Sequence, residues 1–340
     1  MTLGEHLPRT TLGVFPTPVT RATRLERALG RGPLLVKRDD LAGFGVAGNK
    51  TRPLEFLLGA ALEAGAEVLV TGGGPDSNFG PAAALAARAV GMDCELVVWG
   101  EPGRPNLALA RAAGATLRFT GGTDRAAVDE LVHRRADQLA AEGRVAYPVP
   151  RGGSTALGAV GFALAGVELA RQVDEQLDRP PSLIVLAVGS GGSCAGLLVG
   201  LAAAGLRVPV LGVSVSRPPE QIGAKVRELA TGCAELLGVA APVPPPELVD
   251  ARGPGFGRAS ELERERALLA LRTEGLLLDH TYGAEALAAA IERLPDRPAA
   301  GPVLFWHTGG VLPAIGSITG AGENGAGENG AMGETRKGRR

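Results

Sequence analysis

The chain of 340 residues is poor in cysteine, histidine, lysine and aromatic residues. Its three cysteines, Cys94, Cys194 and Cys233, lie far apart, so they fit neither a disulfide framework nor a CxxC metal site. Its four histidines are scattered, and the sequence therefore predicts no zinc site. The formal net charge of -1 offers no electrostatic footprint for nucleic acid or for an anionic membrane.

Long apolar runs and an apolar N-terminal segment are also missing. No stretch approaches the roughly 20 apolar residues of a membrane span, and residues 1–11 lack the apolar core of a signal peptide. Hydrophobic residues make up 45% of the chain and charged residues 21%, which is typical of a soluble globular protein. We therefore expect a cytoplasmic protein that has no structural metal and binds neither nucleic acid nor a membrane.

Only four of the 35 lysines and arginines are lysines, and Lys50 is one of them. Arginine stays protonated, whereas a desolvated lysine can lose its proton and attack a carbonyl carbon. Lys50 precedes a helical pattern with an apolar stripe, and the positive end of the helix dipole lowers the pKa of a lysine at that position. Such a lysine fits the tether of an aldehyde cofactor, but it also fits a surface residue at a helix start. The stripe consists of Leu54, Leu57, Leu58, Ala61 and Leu62.

Apolar runs that end in glycine-rich turns and lead into alanine- and leucine-rich stretches recur along the chain. Strands that alternate with helices in this way predict an α/β fold with mostly parallel sheets. Ligands in such folds bind beyond the carboxyl ends of the strands. The predicted strands are 67–71, 94–99, 115–120, 182–188, 208–214 and 301–306, and the predicted helices are 77–90, 106–113, 124–142 and 193–204.

The turn after the strand 182–188 consists of small residues, namely Gly189, Ser190, Gly191, Gly192 and Ser193. Backbone N–H groups at a helix N-terminus bind phosphate when no side chains stand in the way. The turn is not a Walker loop, since no Gly-Lys-Ser/Thr follows, and the next strand does not end in a ribose-binding acid. A phosphate site and a tight turn without a ligand therefore both remain open.

Polar side chains also follow the strand 67–71. Ser77 and Asn78 stand at the predicted start of the next helix, where they can either cap the helix or contact a ligand. Three further segments, 151–158, 278–283 and 307–310, combine glycine with polar residues, and each is a weak signal alone. Within them His280, His307 and Tyr282 fit a structural role as well as a catalytic one.

In this order and spacing, the segments resemble the pyridoxal-phosphate enzymes of the tryptophan synthase β-subunit fold, also called fold type II. Within that group they are most similar to the branch of D-cysteine desulfhydrase and 1-aminocyclopropane-1-carboxylate deaminase. The resemblance covers about residues 15–316. Its landmarks are residues 15–18, 36–40, 47–52, 76–78, 187–192, 253–256 and 307–310.

The resemblance implies a homodimer of two-domain α/β protomers, with three-layer αβα domains and the cofactor, pyridoxal 5'-phosphate, in the cleft between them. The implied small domain comprises residues 48–157. The implied large, cofactor-binding domain comprises residues 1–47 and 158–320. Residues 321–340 are rich in glycine and cannot bury apolar surface, so we expect this tail to be disordered.

The resemblance also implies roles for single residues. Lys50 forms a Schiff base with the cofactor and later moves the Cα proton of the substrate. The loop from Gly189 to Ser193 holds the cofactor phosphate, Asn78 bonds the ring hydroxyl and Thr308 meets the pyridine nitrogen. Ser77 holds the substrate carboxylate, and Tyr282 acts as acid, base or nucleophile. The residues implied to contact the substrate are Asn49, Ser77, Asn78, Phe79, Phe256 and Tyr282.

Three positions depart from the family pattern. Phe79 stands where the desulfhydrases have histidine and the deaminases glutamine, and Phe256 stands where the desulfhydrases have tyrosine. The two phenylalanines predict a drier pocket and a specialised substrate. Gly283 stands where the deaminases have glutamate, which argues against cyclopropane ring opening, and the segment 307–310 also favours the desulfhydrase branch.

We therefore expect a pyridoxal-phosphate-dependent lyase or deaminase that acts on a small amino acid. The favoured reaction is β-elimination from a D-amino acid, which gives a 2-oxo acid and ammonia. One alternative is β-replacement, in which a nucleophile captures the product of elimination. Two others are a pseudoenzyme that binds cofactor or ligand without turnover and a nucleotide-binding protein that uses the loop at Gly189.

Overall fold

The computed structural model describes residues 3–100, 102–122, 124–125, 127–253, 255, 258–295 and 301–319, and its strands form two sheets. The strands are β1 (Val19–Arg21), β2 (Leu34–Arg38), β3 (Val68–Gly73), β4 (Asp93–Val98), β5 (Thr116–Phe119), β6 (Ala146–Val149), β7 (Leu183–Val188), β8 (Val210–Ser214), β9 (Glu247–Asp250) and β10 (Val303–His307). One sheet has the order β1-β2-β10-β7-β8-β9 and the other the order β5-β4-β3-β6. Within the described residues, only β1 and β2 pair in an antiparallel manner.

Helices connect these strands and cover the sheets. They are α1 (Thr23–Leu29), α2 (Thr51–Glu63), α3 (Phe79–Ala89), α4 (Pro105–Ala112), α5 (Ala127–Ala141), α6 (Ala156–Gln176), α7 (Gly192–Ala203), α8 (Pro219–Leu237), α9 (Glu261–Glu274), α10 (Gly283–Glu292) and α11 (Val311–Thr319). The predicted α/β fold is confirmed. The strands of the smaller sheet lie within 48–157, whereas the predicted domain boundaries stay predictions, and the tail 321–340 lies outside the described residues.

The strand β7 shows why the larger sheet has helices on both faces. Successive side chains of a strand point to opposite faces. Ile184 and Leu186 pack in a core that includes residues of α6, α7 and α8, while Leu183 and Val185 pack in a second core with residues of α9 and α10. Each such side chain, when fully buried, stabilises the fold by about 1.5–3 kcal/mol. The alternation therefore requires three layers.

Glycines allow α6 and α7 to approach each other closely. A Cβ atom at Gly196 would lie 2.0 Å from the carbonyl oxygen of Ala159, and one at Gly200 would lie 2.0 Å from that of Ala163. Contrary to the expectation from the sequence, the helix α6 is long and apolar enough to span a membrane, but 67% of its most apolar window is buried inside the protein, as in a core helix. Because α7 begins directly after β7, this packing fixes the position of its N-terminus.

A buried ionic network anchors α2, the helix that Lys50 precedes. The Arg52 guanidinium donates to Asp39 at 2.8 and 2.9 Å and to Glu168 at 3.0 Å. Lys37 is fully buried and pairs with Glu168 too. Burial lowers the pKa of Lys37, whereas the carboxylates of Glu168 and Asp39 raise it. Lys37, one of the four lysines, therefore has a structural role. The network joins α2 to β2 and α6.

One residue of the predicted apolar stripe does not face the core. Leu54, Leu57, Leu58 and Ala61 are buried, but Leu62 is 44% exposed. The prediction for Leu62 was wrong because this residue stands in the last turn of α2, at the edge of the stripe, where the neighbouring elements do not cover it.

Candidate active site

A cleft lies at the carboxyl ends of β7 and β10, beside the N-termini of α2, α3 and α7. The structure brings almost every sequence-predicted site residue to its wall. Phe256 is the exception, because it lies outside the described residues. The predicted residues that line the cleft are Asn49, Lys50, Ser77, Asn78, Phe79, Gly189, Ser190, Gly191, Gly192, Ser193, Tyr282 and Thr308.

Lys50 ends a short 3-10 turn, Gly48–Lys50, and is the residue that precedes α2. Burial lowers the pKa of its ammonium group to about 8, and the Asp279 carboxylate opposes that shift. The burial of the side chain, and not a neighbouring cation, is thus the main cause. About a tenth of the amine is therefore neutral at pH 7, far more than in an ordinary lysine, and the neutral amine is the form that attacks an aldehyde.

The loop from Gly189 to Ser193 wraps the N-terminus of α7. Gly191 has a φ of 96°, a conformation that favours glycine, and it directly precedes the helix. A Cβ at Gly192 would lie 3.0 Å from Ser154 Oγ. The first turn of α7 carries no acidic residue, and the N–H groups of a first helical turn lack intrahelical acceptors. The loop therefore has the geometry and charge of an anion site.

One hydroxyl and one amide from outside the loop bind to its serines. Ser154 Oγ donates to Ser190 Oγ at 2.5 Å, and Asn49 Nδ2 donates to Ser193 Oγ at 3.1 Å. Ser154 lines the cleft but was not among the predicted site residues, although the segment 151–158 was singled out. In the structure Asn49 contacts the loop from Gly189 to Ser193. The predicted contact of Asn49 with the substrate stays a prediction.

The start of α3 presents three predicted residues to the cleft. Ser77 Oγ accepts a hydrogen bond from the backbone N–H of Phe79 at 3.3 Å. Asn78 Oδ1 accepts one from Asn106 Nδ2 at 3.2 Å. The Phe79 ring is 1% exposed and packs on the turn at Gly153, where a Cβ would lie 2.7 Å from Phe79 Cε2. Phe79 thus gives the cleft an apolar wall at this point, whereas the drier pocket stays a prediction.

Tyr282 stands on the opposite wall, just before α10. A Cβ at Gly189 would lie 3.0 Å from Tyr282 Cε1, so the glycine makes room for the ring. Burial raises the pKa of the Tyr282 hydroxyl well above its usual value, and the carboxylates of Asp279 and Glu285 add to the shift. The hydroxyl therefore stays protonated and can donate a proton or a hydrogen bond.

Asp279 is a residue of the site that sequence reasoning passed over. It is 1% exposed, and its Oδ1 accepts from the N–H of Gly283 at 2.9 Å, which shapes the turn that carries Tyr282. Burial raises the pKa of its carboxyl to about 6. A Cβ at Gly310 would lie 2.5 Å from Asp279 Oδ1, so the two segments are in direct contact. Both segments, 278–283 and 307–310, stood out in the sequence, but nothing in the sequence placed them in contact.

His307 does not line the cleft. Its side chain is fully buried in β10, and burial lowers its pKa to about 4, so the ring is neutral at neutral pH. Its Nε2 lies 3.8 Å from Asp40 Oδ2, but a neutral ring forms no ion pair there. The side chain thus occupies a structural position. The next residue, Thr308, is the one that reaches the cleft.

The residues of the cleft fit pyridoxal phosphate. They combine a buried lysine of lowered pKa, an anion cradle that a single Cβ would obstruct, and the Thr308 segment at the end of β10. A lysine that forms a Schiff base and a phosphate site are the two features that this cofactor requires of a protein. Among the described residues, no cluster of histidine, cysteine, aspartate and glutamate is suited to a metal ion.

Comparisons with known proteins agree with this fit. Residues 10–309 match the family model described as "Pyridoxal-phosphate dependent enzyme". A Pyrococcus abyssi protein named "Putative 1-aminocyclopropane-1-carboxylate deaminase" is 36% identical over 92% of this chain and 94% of its own length. The "D-cysteine desulfhydrase" of Salmonella newport is 34% identical over 91% and 96%. The crystal structure of an "ACC deaminase homologue" superposes with a TM-score of 0.85 at 32% identity over 93% and 96%.

Proposed function

The chain belongs to the family of pyridoxal-phosphate dependent enzymes and is a lyase of that family, and we propose that it eliminates a β leaving group from a small D-amino acid. The products are a 2-oxo acid, ammonia and the protonated leaving group. The relatives named as a D-cysteine desulfhydrase and a 1-aminocyclopropane-1-carboxylate deaminase indicate the class of reaction. Gly283 supports the desulfhydrase-like reaction, since no carboxylate stands at that position.

One observation carries the proposal, namely that Lys50 and Tyr282 line one cleft with the loop at Gly189. The loop would hold the phosphate, Lys50 would hold the aldehyde carbon and Thr308 would meet the pyridine nitrogen. When bound, pyridoxal phosphate supplies the electron sink for the bond that breaks at the substrate Cα. Ser77 and neighbouring N–H groups would hold the substrate carboxylate, and Asn78 would bond the ring hydroxyl.

Proton transfer falls to two residues of this chain. Lys50 removes the Cα proton at Nζ, a task that suits an amine whose pKa is about 8. Tyr282 keeps its proton because burial raises the pKa of its hydroxyl, so it can donate that proton or a hydrogen bond to the leaving group and cannot act as a base. Phe79 keeps water from this side of the cleft. This preserves the strength of the polar contacts that Lys50 and Tyr282 make with the substrate.

The test begins with the purified protein and added pyridoxal phosphate. Borohydride reduction followed by peptide mass analysis is expected to place the cofactor on Lys50. D-cysteine is then expected to give equal amounts of sulfide, pyruvate and ammonia, and L-cysteine much less. The Lys50→Ala variant should lose both the attachment and the activity, whereas Lys225→Ala, at a surface lysine that pairs with Glu228, should keep both.

Other outcomes distinguish the alternatives. A new thioether formed from an added thiol, in place of pyruvate, would identify β-replacement. Attachment at Lys50 without turnover of any β-substituted amino acid would identify a pseudoenzyme. We also propose that the protein is cytoplasmic, that it forms a homodimer and that it has no nucleic-acid or membrane partner. Sedimentation equilibrium of the holoenzyme tests the dimer.

A further inference from the structure

A second cavity opens from the candidate active site and is rich in arginine. It measures about 270 Å³, and we call it the arginine pocket after Arg125, Arg151 and Arg217, which line it together with Trp99. It shares Ser77, Gly152, Gly189, Ser190 and Tyr282 with the cleft, so the two spaces adjoin each other. None of the described residues that line it is acidic.

The positive charge of the arginine pocket is only partly neutralised. Asp129 pairs with Arg151 at 2.9 Å, and this guanidinium holds the pKa of Asp129 below its usual range, with Arg217 contributing. Asp76, which is 39% exposed, pairs with Arg104 at 3.5 Å. The side chain of Arg217 is half-buried and forms no hydrogen bond or ion pair within the described residues. The unneutralised charge of the arginine pocket therefore lies at Arg217.

Two of these guanidinium groups are held in place by an aromatic ring. The guanidinium carbons of Arg125 and Arg151 lie 5.8 and 5.9 Å from the centre of the Trp99 ring. Arg151 is fixed further by Asp129, which also accepts from its backbone N–H at 2.9 Å. Ordered arginines bind a carboxylate or a similar anion with little loss of side-chain freedom. The fold therefore keeps a pre-formed cationic wall beyond Tyr282.

We propose that the arginine pocket binds a second anionic group at the far end of the substrate side chain, with Arg217 as its principal partner. The proposal rests on the proposed β-elimination and narrows its substrate class. The substrate is then a β-substituted alanine whose leaving group carries a carboxylate, sulfonate or phosphate. For a thioether the Cβ–S bond breaks, the thiol leaves with one proton, and water converts the remaining enamine to pyruvate and ammonia.

The test compares two substrates of the same shape, S-carboxymethylcysteine and S-carbamoylmethylcysteine, each as both enantiomers, with the holoenzyme. The first carries a terminal carboxylate and the second a neutral amide. A charge-assisted hydrogen bond predicts a kcat/KM at least about tenfold higher for the carboxylate. In Arg217→Met the ratio should fall to within about threefold of one, and Arg217→Lys should retain most of it. Arg227→Met, at an exposed arginine of α8, is the matched control and should keep the ratio.

Several outcomes overturn the proposal. Equal kcat/KM values for the two compounds refute the proposal. Binding of inorganic phosphate to the holoenzyme would not rescue it. An equal loss for both compounds in Arg217→Met refutes it too, because Arg217 would then hold the common α-carboxylate. If neither compound nor D-cysteine is turned over, the proposed function fails by itself. Calorimetry that compares the affinity for 2-aminoadipate with the affinity for its terminal amide then decides whether the pocket selects a distal anion.

Discussion

The backbone N–H of Asn49 donates a hydrogen bond to the carbonyl oxygen of Thr308, with 2.9 Å between the two atoms. This bond joins the turn that carries Lys50 to the end of β10. Gly48 lies at the same contact, where a Cβ would come within 2.5 Å of that carbonyl oxygen. The residues proposed to hold the two ends of the cofactor ring are thus coupled through backbone atoms.

Gly48→Ala should therefore weaken cofactor binding by at least about tenfold, since a shift of about 1.4 kcal/mol suffices. Part of the cost is conformational, because Gly48 has a φ of +53°. The matched control is Gly91→Ala, at a φ of +78° with no neighbour within 4 Å. Fluorescence titration with pyridoxal phosphate measures both variants. Equal affinities would show that the contact with Thr308 has no role in the site.

Tyr282→Phe should lower kcat by about 10²-fold or more, the usual size of a general acid contribution. Cofactor attachment at Lys50 should persist, because the ring is retained and still fills the space beside Gly189. Tyr147 is the other tyrosine of the chain and lies in β6, so Tyr147→Phe is the control for loss of a phenol. Steady-state kinetics with the β-substituted amino acid that is turned over measures the effect. An unchanged kcat would remove Tyr282 from proton transfer.

The lowered pKa of Lys50 predicts a characteristic pH profile for cofactor capture by the apo-protein. Only the neutral amine attacks the aldehyde, so the rate should rise with pH and level off above about 8, whereas an ordinary lysine has its pKa at 10.5. Asp279→Asn removes the carboxylate that favours the ammonium form and should move the plateau to lower pH. Stopped-flow absorbance follows the reaction. A rate that still climbs steeply above about pH 9 would contradict the assignment.

The sequence predicted those parts of the structure that have local sequence patterns. Runs such as 182–188 combine apolar composition with a following glycine turn, and they appear as strands within two residues of the predicted bounds. The helix α6 was not predicted, and its glycines are explained only by the fold, since Gly161 approaches Arg52 of α2 and Gly166 approaches Gly200 of α7. Asp279 and Arg217 become relevant only through the fold, which brings the Asp279 carboxylate near Lys50 and places Arg217 in the arginine pocket.

Glu285 offers a stability test that is separate from catalysis. It is 4% exposed, its Oε2 has no hydrogen-bond partner among the described residues, and burial raises the pKa of its carboxyl from 4.5 to about 9, with Asp279 contributing. Between these two values the native state binds the proton and the unfolded state does not. The free energy of unfolding therefore falls as pH rises, by up to about 1.4 kcal/mol per pH unit.

Glu285→Gln should remove this pH dependence, because the amide does not titrate. The variant should thus gain stability relative to the wild type as pH rises from about 5 to about 9. Urea unfolding across that range measures the difference, and Glu63→Gln, at an exposed position in α2, is the control that should follow the wild type. A parallel course of Glu285→Gln and wild type would show that Glu285 is ionised in the native protein. In that case an ionised carboxylate would lie buried beside Asp279.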